Sequence, residues 1–332
     1  MTDDVKSPFL KRTFHGNDEN AKIGAAFKCN AIEETKVANL AFKGDYLTGY
    51  DFQNTYEVEE APDGKDVAHQ SLIEFMKIIN DFNPANASDN DLKKLSEVWD
   101  YSHFLRAMAL EFLAGSWDTF WWAGSNYYLY KPPGKPWVYI PTDFDFTFGS
   151  DYPNLDMGTY QEFSQGTSRP PIDKLLAVPK IKKDFEEMLK NMTNHGFNSD
   201  VLNPRIDGYL DMLKDELSWD RELTRLAVGK NPKWTLQNAI DNIVKPIPTK
   251  EFALKPWIAD KVKLLQTQLN YKQKTEKYVP KPVTNSTSTT TQGSEKNNNE
   301  VHKEGVDTPQ SSSNQLVNSV LLLVLSLTIT CI

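Results

Sequence analysis

The chain is organised around residues 116–149, which read SWDTFWWAGSNYYLYKPPGKPWVYIPTDFDFTFG. The aromatic segment at 126–130 predicts a strand, because aromatic side chains fit a pleated, half-buried surface. Residues 131–135 (KPPGK) predict a turn, since proline fixes φ and glycine allows positive φ. Residues 137–141 then form the returning strand. The stretch is therefore predicted to be a β-hairpin that follows a tryptophan-rich loop.

Four polar residues are placed around this hairpin. Asp118 lies in the loop, Asn126 opens the first strand, and Asp143 and Asp145 follow the second strand. In extended chain, a spacing of two residues puts both of these carboxylates on one face. Hard divalent cations prefer carboxylate and amide oxygens as ligands. Asn126, Asp143 and Asp145 are therefore candidate metal ligands.

The order of these residues along the chain is that found in protein kinases. There a catalytic-loop Asp accepts the hydroxyl proton, an Asn holds one metal ion, and an Asp beyond the hairpin holds another. Asp118 is accordingly the candidate catalytic residue. The spacing differs, because Asp118 and Asn126 are eight positions apart, and neither H-R-D nor D-F-G occurs. A solvated turn and a calcium site remain open as alternatives for such paired acids.

Several blocks of the sequence resemble the CotH family of spore-coat kinases and fungal surface proteins. The resembling blocks are residues 101–113 (YSHFLRAMALEFL), Trp117-Asp118, residues 126–130 (NYYLY) and residues 140–149 (IPTDFDFTFG). The family pattern at the last block is approximately P-W-D-x-D-x-T-[WF]-G, and Thr142 stands where the family often has an aromatic or polar residue. The resemblance covers residues 20–275 and is strongest over 95–150.

The resemblance implies a fold class and an activity. The fold is α+β: the mostly helical C-terminal lobe of an atypical protein-kinase-like fold with a catalytic β-hairpin, and with its N-terminal lobe largely absent. Active members are implied to transfer phosphate from ATP, with Mg²⁺ or Mn²⁺, to protein hydroxyls. Neither G-x-G-x-x-G nor a P-loop occurs, and no nucleotide-gripping lysine can be assigned. We therefore expect the chain as given to be a truncated member that is inactive alone.

A second class of function stays open, that of a non-catalytic surface protein. Fungal relatives of the family are cell-surface invasins, so the resemblance also implies an adhesin that binds a host-cell receptor. The enzyme needs the acids and nucleotide binding, whereas the adhesin needs only an exposed domain. The expected partner is thus a protein substrate or a host-cell receptor. The net charge of −8 argues against nucleic acid, which requires a basic face.

Composition and periodicity divide the chain into four regions. Residues 1–65 are an irregular N-terminal region, 276–315 a Ser/Thr/Asn-rich disordered stalk, and 316–332 a hydrophobic tail. The region between them, 66–275, is what the resemblance implies to be a CotH-like kinase C-lobe. Strands are predicted at 23–27 and 37–42. Helices are predicted at 71–82, 101–114, 180–192, 201–217, 235–244 and 257–271. Residues 151–171 lack periodicity and predict a surface loop that carries Arg169.

The tail has the features of a GPI-attachment signal. Residues 320–332 are apolar apart from three hydroxyl side chains, and small residues at 311–314 precede them. A bilayer span takes about 20 residues, so this segment is too short to cross. A tail anchor is the alternative. The N-terminus carries no apolar signal segment, so we expect a longer, signal-bearing natural protein that is GPI-anchored at the cell surface.

Cysteine content leaves one question open. The chain has two cysteines, and Cys331 lies in the predicted tail. Removal of the tail would leave Cys29 alone, either with a partner outside the chain or as a buried free thiol.

Overall fold

The computed structural model describes residues 4–154, 156–224 and 234–273. The predicted stalk at 276–315 and tail at 316–332 lie outside these residues. The described part contains α1 Ser7–Phe14, β1 Ala26–Cys29, β2 Tyr56–Glu60, α2 Lys65–Asp81, α3 Asp89–Val98, α4 Tyr101–Ala114, α5 Phe120–Ala123, β3 Tyr127–Tyr130, β4 Val138–Pro141, α6 Pro170–Leu176, α7 Pro179–His195, α8 Ser199–Glu222, α9 Leu236–Val244 and α10 Leu254–Gln268. The predicted α+β class is confirmed. None of the described helices is long and apolar enough to span a membrane.

The predicted hairpin is present and forms half of a four-stranded antiparallel sheet. The strand order is β2-β1-β3-β4, so β1 from the N-terminal region lies between β2 and the hairpin. Lys28 of β1 lies opposite Tyr128 of β3, which in turn lies opposite Ile140 of β4. Residues 1–65 thus supply two strands to the sheet that carries the site.

The strand predicted at 37–42 is wrong. Leu40 has a φ of 59°, which a strand cannot accommodate. Side chains take the backbone donors of this segment instead: Leu40 N–H donates to Tyr56 Oη at 2.9 Å, and Ala41 N–H donates to Asn39 Oδ1 at 3.1 Å. The strand predicted at 23–27 lies at Ala26–Cys29.

The two faces of the sheet are buried in different clusters. Phe27, Cys29, Tyr127, Leu129 and Tyr139 alternate onto the face that joins the main core with helices α2, α4, α7 and α10. Ala26, Tyr130 and Ile140 lie on the opposite face, which α1 covers through Leu10. Cys29 is a buried free thiol, and burial raises its pKa.

Helix α4 carries the site loop at its end and matches its predicted bounds. Asp100 caps its first turn by accepting a hydrogen bond from His103 N–H at 3.0 Å. Gly115 ends it with a left-handed φ of 64°. A Cβ at this position would lie 2.2 Å from Cζ2 of Trp257, so α10 packs directly against the glycine.

Other helices differ from prediction at their ends. Helix α2 begins at Lys65 rather than residue 71. Helix α6 begins at Pro170, inside the segment predicted to be a surface loop. Arg169 precedes this helix and is only 3% exposed, so its predicted surface position is wrong. Its guanidinium is satisfied by backbone carbonyls, a pattern that periodicity cannot reveal.

Candidate functional site

The Asp118 turn begins where α4 stops. Trp117 Nε1 donates to the backbone oxygen of Ser150 at 3.0 Å, which ties the turn to the segment after the acids. Thr119 Oγ1 donates to the backbone oxygen of Ser116 at 3.0 Å and closes the turn. The turn is therefore attached to the rest of the structure at two places, the end of α4 and residue 150.

Asn126 connects the turn to the hairpin. Its Nδ2 donates to the backbone oxygen of Asp118 at 2.8 Å and to Asp118 Oδ2 at 3.0 Å. The backbone oxygen of Asn126 accepts from Thr142 Oγ1 at 2.9 Å. The structure thus brings Asp118 and Asn126 into direct contact despite the unusual spacing, and attaches both to the end of β4.

Asp143 and Asp145 lie beyond β4, but not in extended chain. Asp143 is exposed and has a left-handed φ of 56°, so the predicted pleated geometry is wrong. A tight turn follows β4, in which Thr147 Oγ1 donates to the backbone oxygen of Phe144 at 2.9 Å. The two carboxylates still interact, because the side chain of Asp143 raises the pKa of Asp145.

The negative charge of Asp143 acts on Asp118 and on Asp145. Burial, and then the negative charge of Asp143, raise the pKa of Asp145 to about 6. Burial also raises the pKa of Asp118, as does Asp143, while the hydrogen bond from Asn126 lowers it. A bound cation would therefore reduce the electrostatic repulsion among Asp118, Asp143 and Asp145.

The residues of the site fit a divalent cation in their chemistry. Carboxylates and an amide are the oxygen donors that Mg²⁺ and Mn²⁺ take. Asn126 uses its Nδ2 on Asp118, so its Oδ1 is the atom that would face a cation. Among the described residues, no group of three or more His, Cys, Asp or Glu side chains is already arranged to hold a metal ion.

Two charged residues beside the loop were not predicted in the positions that the structure gives them. Glu111 is fully buried on α4, and burial raises its pKa to about 7. Arg169 is buried beside the loop and donates from Nε to the backbone oxygen of Phe120 at 3.0 Å. An acid on the apolar stripe of α4 was the available signal for Glu111. Arg169 gave none.

The N-terminal region also reaches the loop. Ala38 N–H donates to the backbone oxygen of Gly124 at 2.8 Å, and Ala31 N–H donates to Ser125 Oγ at 2.9 Å. Tyr127 Oη donates to the backbone oxygen of Ala38 at 2.6 Å. Residues 31–38 therefore border the loop directly before Asn126.

Comparison with known proteins identifies a family. Residues 1–234 match the family model described as CotH kinase protein, and the match includes every site residue. The chain belongs to this family. The match begins before the expected residue 20 and ends before residue 275.

Similar proteins come from Rhizopus delemar. Spore coat protein homolog 1 is 27% identical over 286 residues, covering 81% of this chain and 44% of the relative. Invasin CotH2 is 25% identical over 311 residues, covering 88% of this chain and 50% of the relative. Invasin CotH7 is 31% identical over 184 residues, covering 52% of this chain and 30% of the relative. The chain spans half or less of the length of these relatives.

Proposed function

We propose that Asn126, Asp143 and Asp145 hold a divalent cation that carries the phosphates of ATP, and that the protein transfers phosphate to protein hydroxyls. The observation that supports this most is the convergence of Asp118, Asn126 and the acids after β4 on one half-buried site. Membership of the CotH kinase protein family supports the same reaction class.

Each residue has a distinct role in this proposal. Mg²⁺ or Mn²⁺, when bound, neutralises charge on the phosphates, which is the main requirement of phosphoryl transfer. Asp118 would accept the proton of the acceptor hydroxyl. Asn126 Nδ2 already donates to Asp118 Oδ2, so Asp118 Oδ1 is the atom that would receive the proton. The raised pKa of Asp118 makes it a better base than an ordinary aspartate.

Residues 1–65 supply β1 and β2 to the sheet that carries the site, so the proposal departs from the expectation that this chain is inactive alone. The test is phosphate transfer from ATP to a serine-rich acceptor by wild-type and Asp118→Asn protein. A general base contributes roughly 10²–10⁴-fold to a rate, so we expect a loss of at least 100-fold. The affinity for Mn²⁺-ATP should change little, because the proposed metal ligands are intact. Equal transfer by the two proteins would remove Asp118 from its proposed role.

We also propose that the protein is displayed at the cell surface through a GPI anchor and binds a host-cell receptor. Relatives named invasin and spore coat protein support this second function. One variant distinguishes the two proposed functions. Asp143→Asn should abolish metal-dependent nucleotide binding but leave adhesion to host cells unchanged. Loss of adhesion in this variant would show that adhesion depends on the nucleotide site.

A further inference from the structure

Helix α5 is a single turn of four residues that lies between Asp118 and Asn126. A helix this short is not stable by itself, because nucleation costs more than its few hydrogen bonds return. Its end groups also lack partners within the helix. What fixes the ends of α5 therefore fixes the two site residues on either side.

The N-terminal end of α5 is held by Glu111. Its Oε2 accepts from Trp121 N–H at 2.9 Å, and its Oε1 accepts from Tyr139 Oη at 2.7 Å. The carboxylate is fully buried, and these two hydrogen bonds set the position of its oxygens. An acidic group also interacts favourably with the positive end of a helix.

Arg169 holds backbone carbonyl groups along α5. Its Nε donates to the backbone oxygen of Phe120, and Nη2 donates to that of Trp122. The Arg169 backbone N–H donates to Asp173 Oδ2 at 2.8 Å, which anchors the residue at the start of α6. A planar guanidinium can reach two carbonyls at once, whereas a lysine ammonium is a single point charge.

We propose that Glu111 and Arg169 are positioning residues, which clamp α5 through one backbone N–H and two backbone carbonyls and so fix Asp118 before it and Asn126 after it. The chemical consequence of this clamp rests on the proposed function. Asp143 and Asp145 follow β4 and are not carried by α5. Of the three proposed metal ligands, only Asn126 borders α5, so loosening α5 should lower kcat more than it raises the KM for ATP.

The test compares Arg169→Lys with the wild-type full chain, by hydrogen exchange and by phosphate transfer. Lys261→Met is the matched control, because Lys261 is also fully buried but contacts the backbone oxygen of Met157 instead of α5. We expect exchange of the amides of residues 118–126 to accelerate about tenfold in Arg169→Lys, with α7 unchanged. In active protein, kcat should fall about tenfold or more with the KM for ATP within about threefold.

A milder variant covers the case in which Arg169→Lys does not fold. Tyr139→Phe removes only the hydroxyl that orients Glu111, and we expect the same direction of change at about threefold. Unchanged exchange at 118–126 in the folded variants would overturn the clamp. Faster exchange with unchanged kcat would overturn its positioning role. A wild-type protein without transfer would contradict the proposed function, while exchange would still decide the clamp.

Discussion

Asn126 and Asp143 both have left-handed backbones, with φ of 53° and 56°. Asn and Asp enter this region more readily than other residues with a Cβ, but the conformation still costs of order 1–3 kcal/mol. Such strain concentrates at functional sites, where the side-chain direction matters more than the backbone energy. Here it turns both side chains away from the pleat of the hairpin strands.

Asp143→Gly separates this strain from function. Glycine tolerates a positive φ, and removal of the carboxylate also relieves repulsion on Asp145. We expect the metal-free variant to be as stable as wild type or up to about 1 kcal/mol more stable, and to lose Mn²⁺-dependent ATP binding. Thermal unfolding and titration calorimetry measure the two effects.

Gln165→Gly is the control for that prediction. Gln165 is exposed and has a φ of 52°, so glycine relieves the same strain outside the site. Its ATP binding should equal that of wild type. A clear loss of stability in Asp143→Gly would show that Asp143 supports the fold instead of straining it.

Glu111 should give stability a pH dependence. Burial raises its pKa in the folded protein from the ordinary value of 4.5 to about 7, so the folded protein binds the proton more tightly than the unfolded chain. This contribution is fully present below about pH 4.5 and is lost as pH rises through about 7. The loss is on the order of 3 kcal/mol.

Glu111→Gln is the variant that isolates this contribution. Its amide oxygen can accept from Trp121 N–H, while its NH₂ group can donate to Tyr139 Oη. We expect the stability of the variant relative to wild type to improve as pH rises from 4.5 to 7, measured by urea unfolding. A difference that does not vary with pH would mean that Glu111 titrates normally.

Whether a residue could be found from the sequence depends on how that residue acts. In the proposed function Asp118 and Asn126 act through their own side chains, so their order along the chain marked them as candidates. Glu111 and Arg169 act through the backbone of α5, and no spacing rule records such contacts. The extended geometry at Asp143 failed because β4 ends at Pro141 and a tight turn takes over.

At the scale of elements, α4 and the hairpin were predictable and β2 was not. The apolar stripe of α4 has a helical period, and Gly115 marks its end. Strand β2 reads YEVEE, and only Tyr56 of it is buried, so its sequence gives little apolar alternation. Pairing with β1, a contact distant in sequence, decides its structure.

Gly115 links two of these elements and should not tolerate a side chain. Gly115→Ala meets both a positive φ and the Trp257 ring, which a Cβ would approach to 2.2 Å. We expect a loss of about 3 kcal/mol in urea unfolding. Gly134→Ala is the matched control, because its φ is 66° and nothing lies within 4 Å of its Cβ position. That variant should lose only about 1–2 kcal/mol. Equal losses would contradict direct packing of α10 on Gly115.

At the scale of the whole molecule, the sheet joins regions that composition separated. Strand β1 lies between β2 and β3, so the N-terminal region and the hairpin share one hydrogen-bonded structure. Composition reports where a chain becomes polar, but not which strands pair. The change in composition near residue 65 therefore does not coincide with a structural break in the sheet.

The proposed anchor is also a property of the whole molecule. Residues 316–332 lie outside the described residues, so the proposal rests on sequence. We expect a phosphatidylinositol-specific phospholipase to release the natural protein from membranes. A protein that resists release and still contains residue 332 in its mature form would not be GPI-anchored.

The central claim is that this chain holds a metal-dependent nucleotide site, and ATP binding with and without Mn²⁺ tests it most directly. The full chain is compared with Asp143→Asn and with Asp63→Asn, an exposed acid before α2. We expect wild type and Asp63→Asn to bind ATP with Mn²⁺ and to lose binding in EDTA. Asp143→Asn should bind at least about tenfold more weakly, about 1.4 kcal/mol, while staying folded. ATP affinity that is the same with Mn²⁺ and with EDTA, or the same in Asp143→Asn as in wild type, would contradict the account.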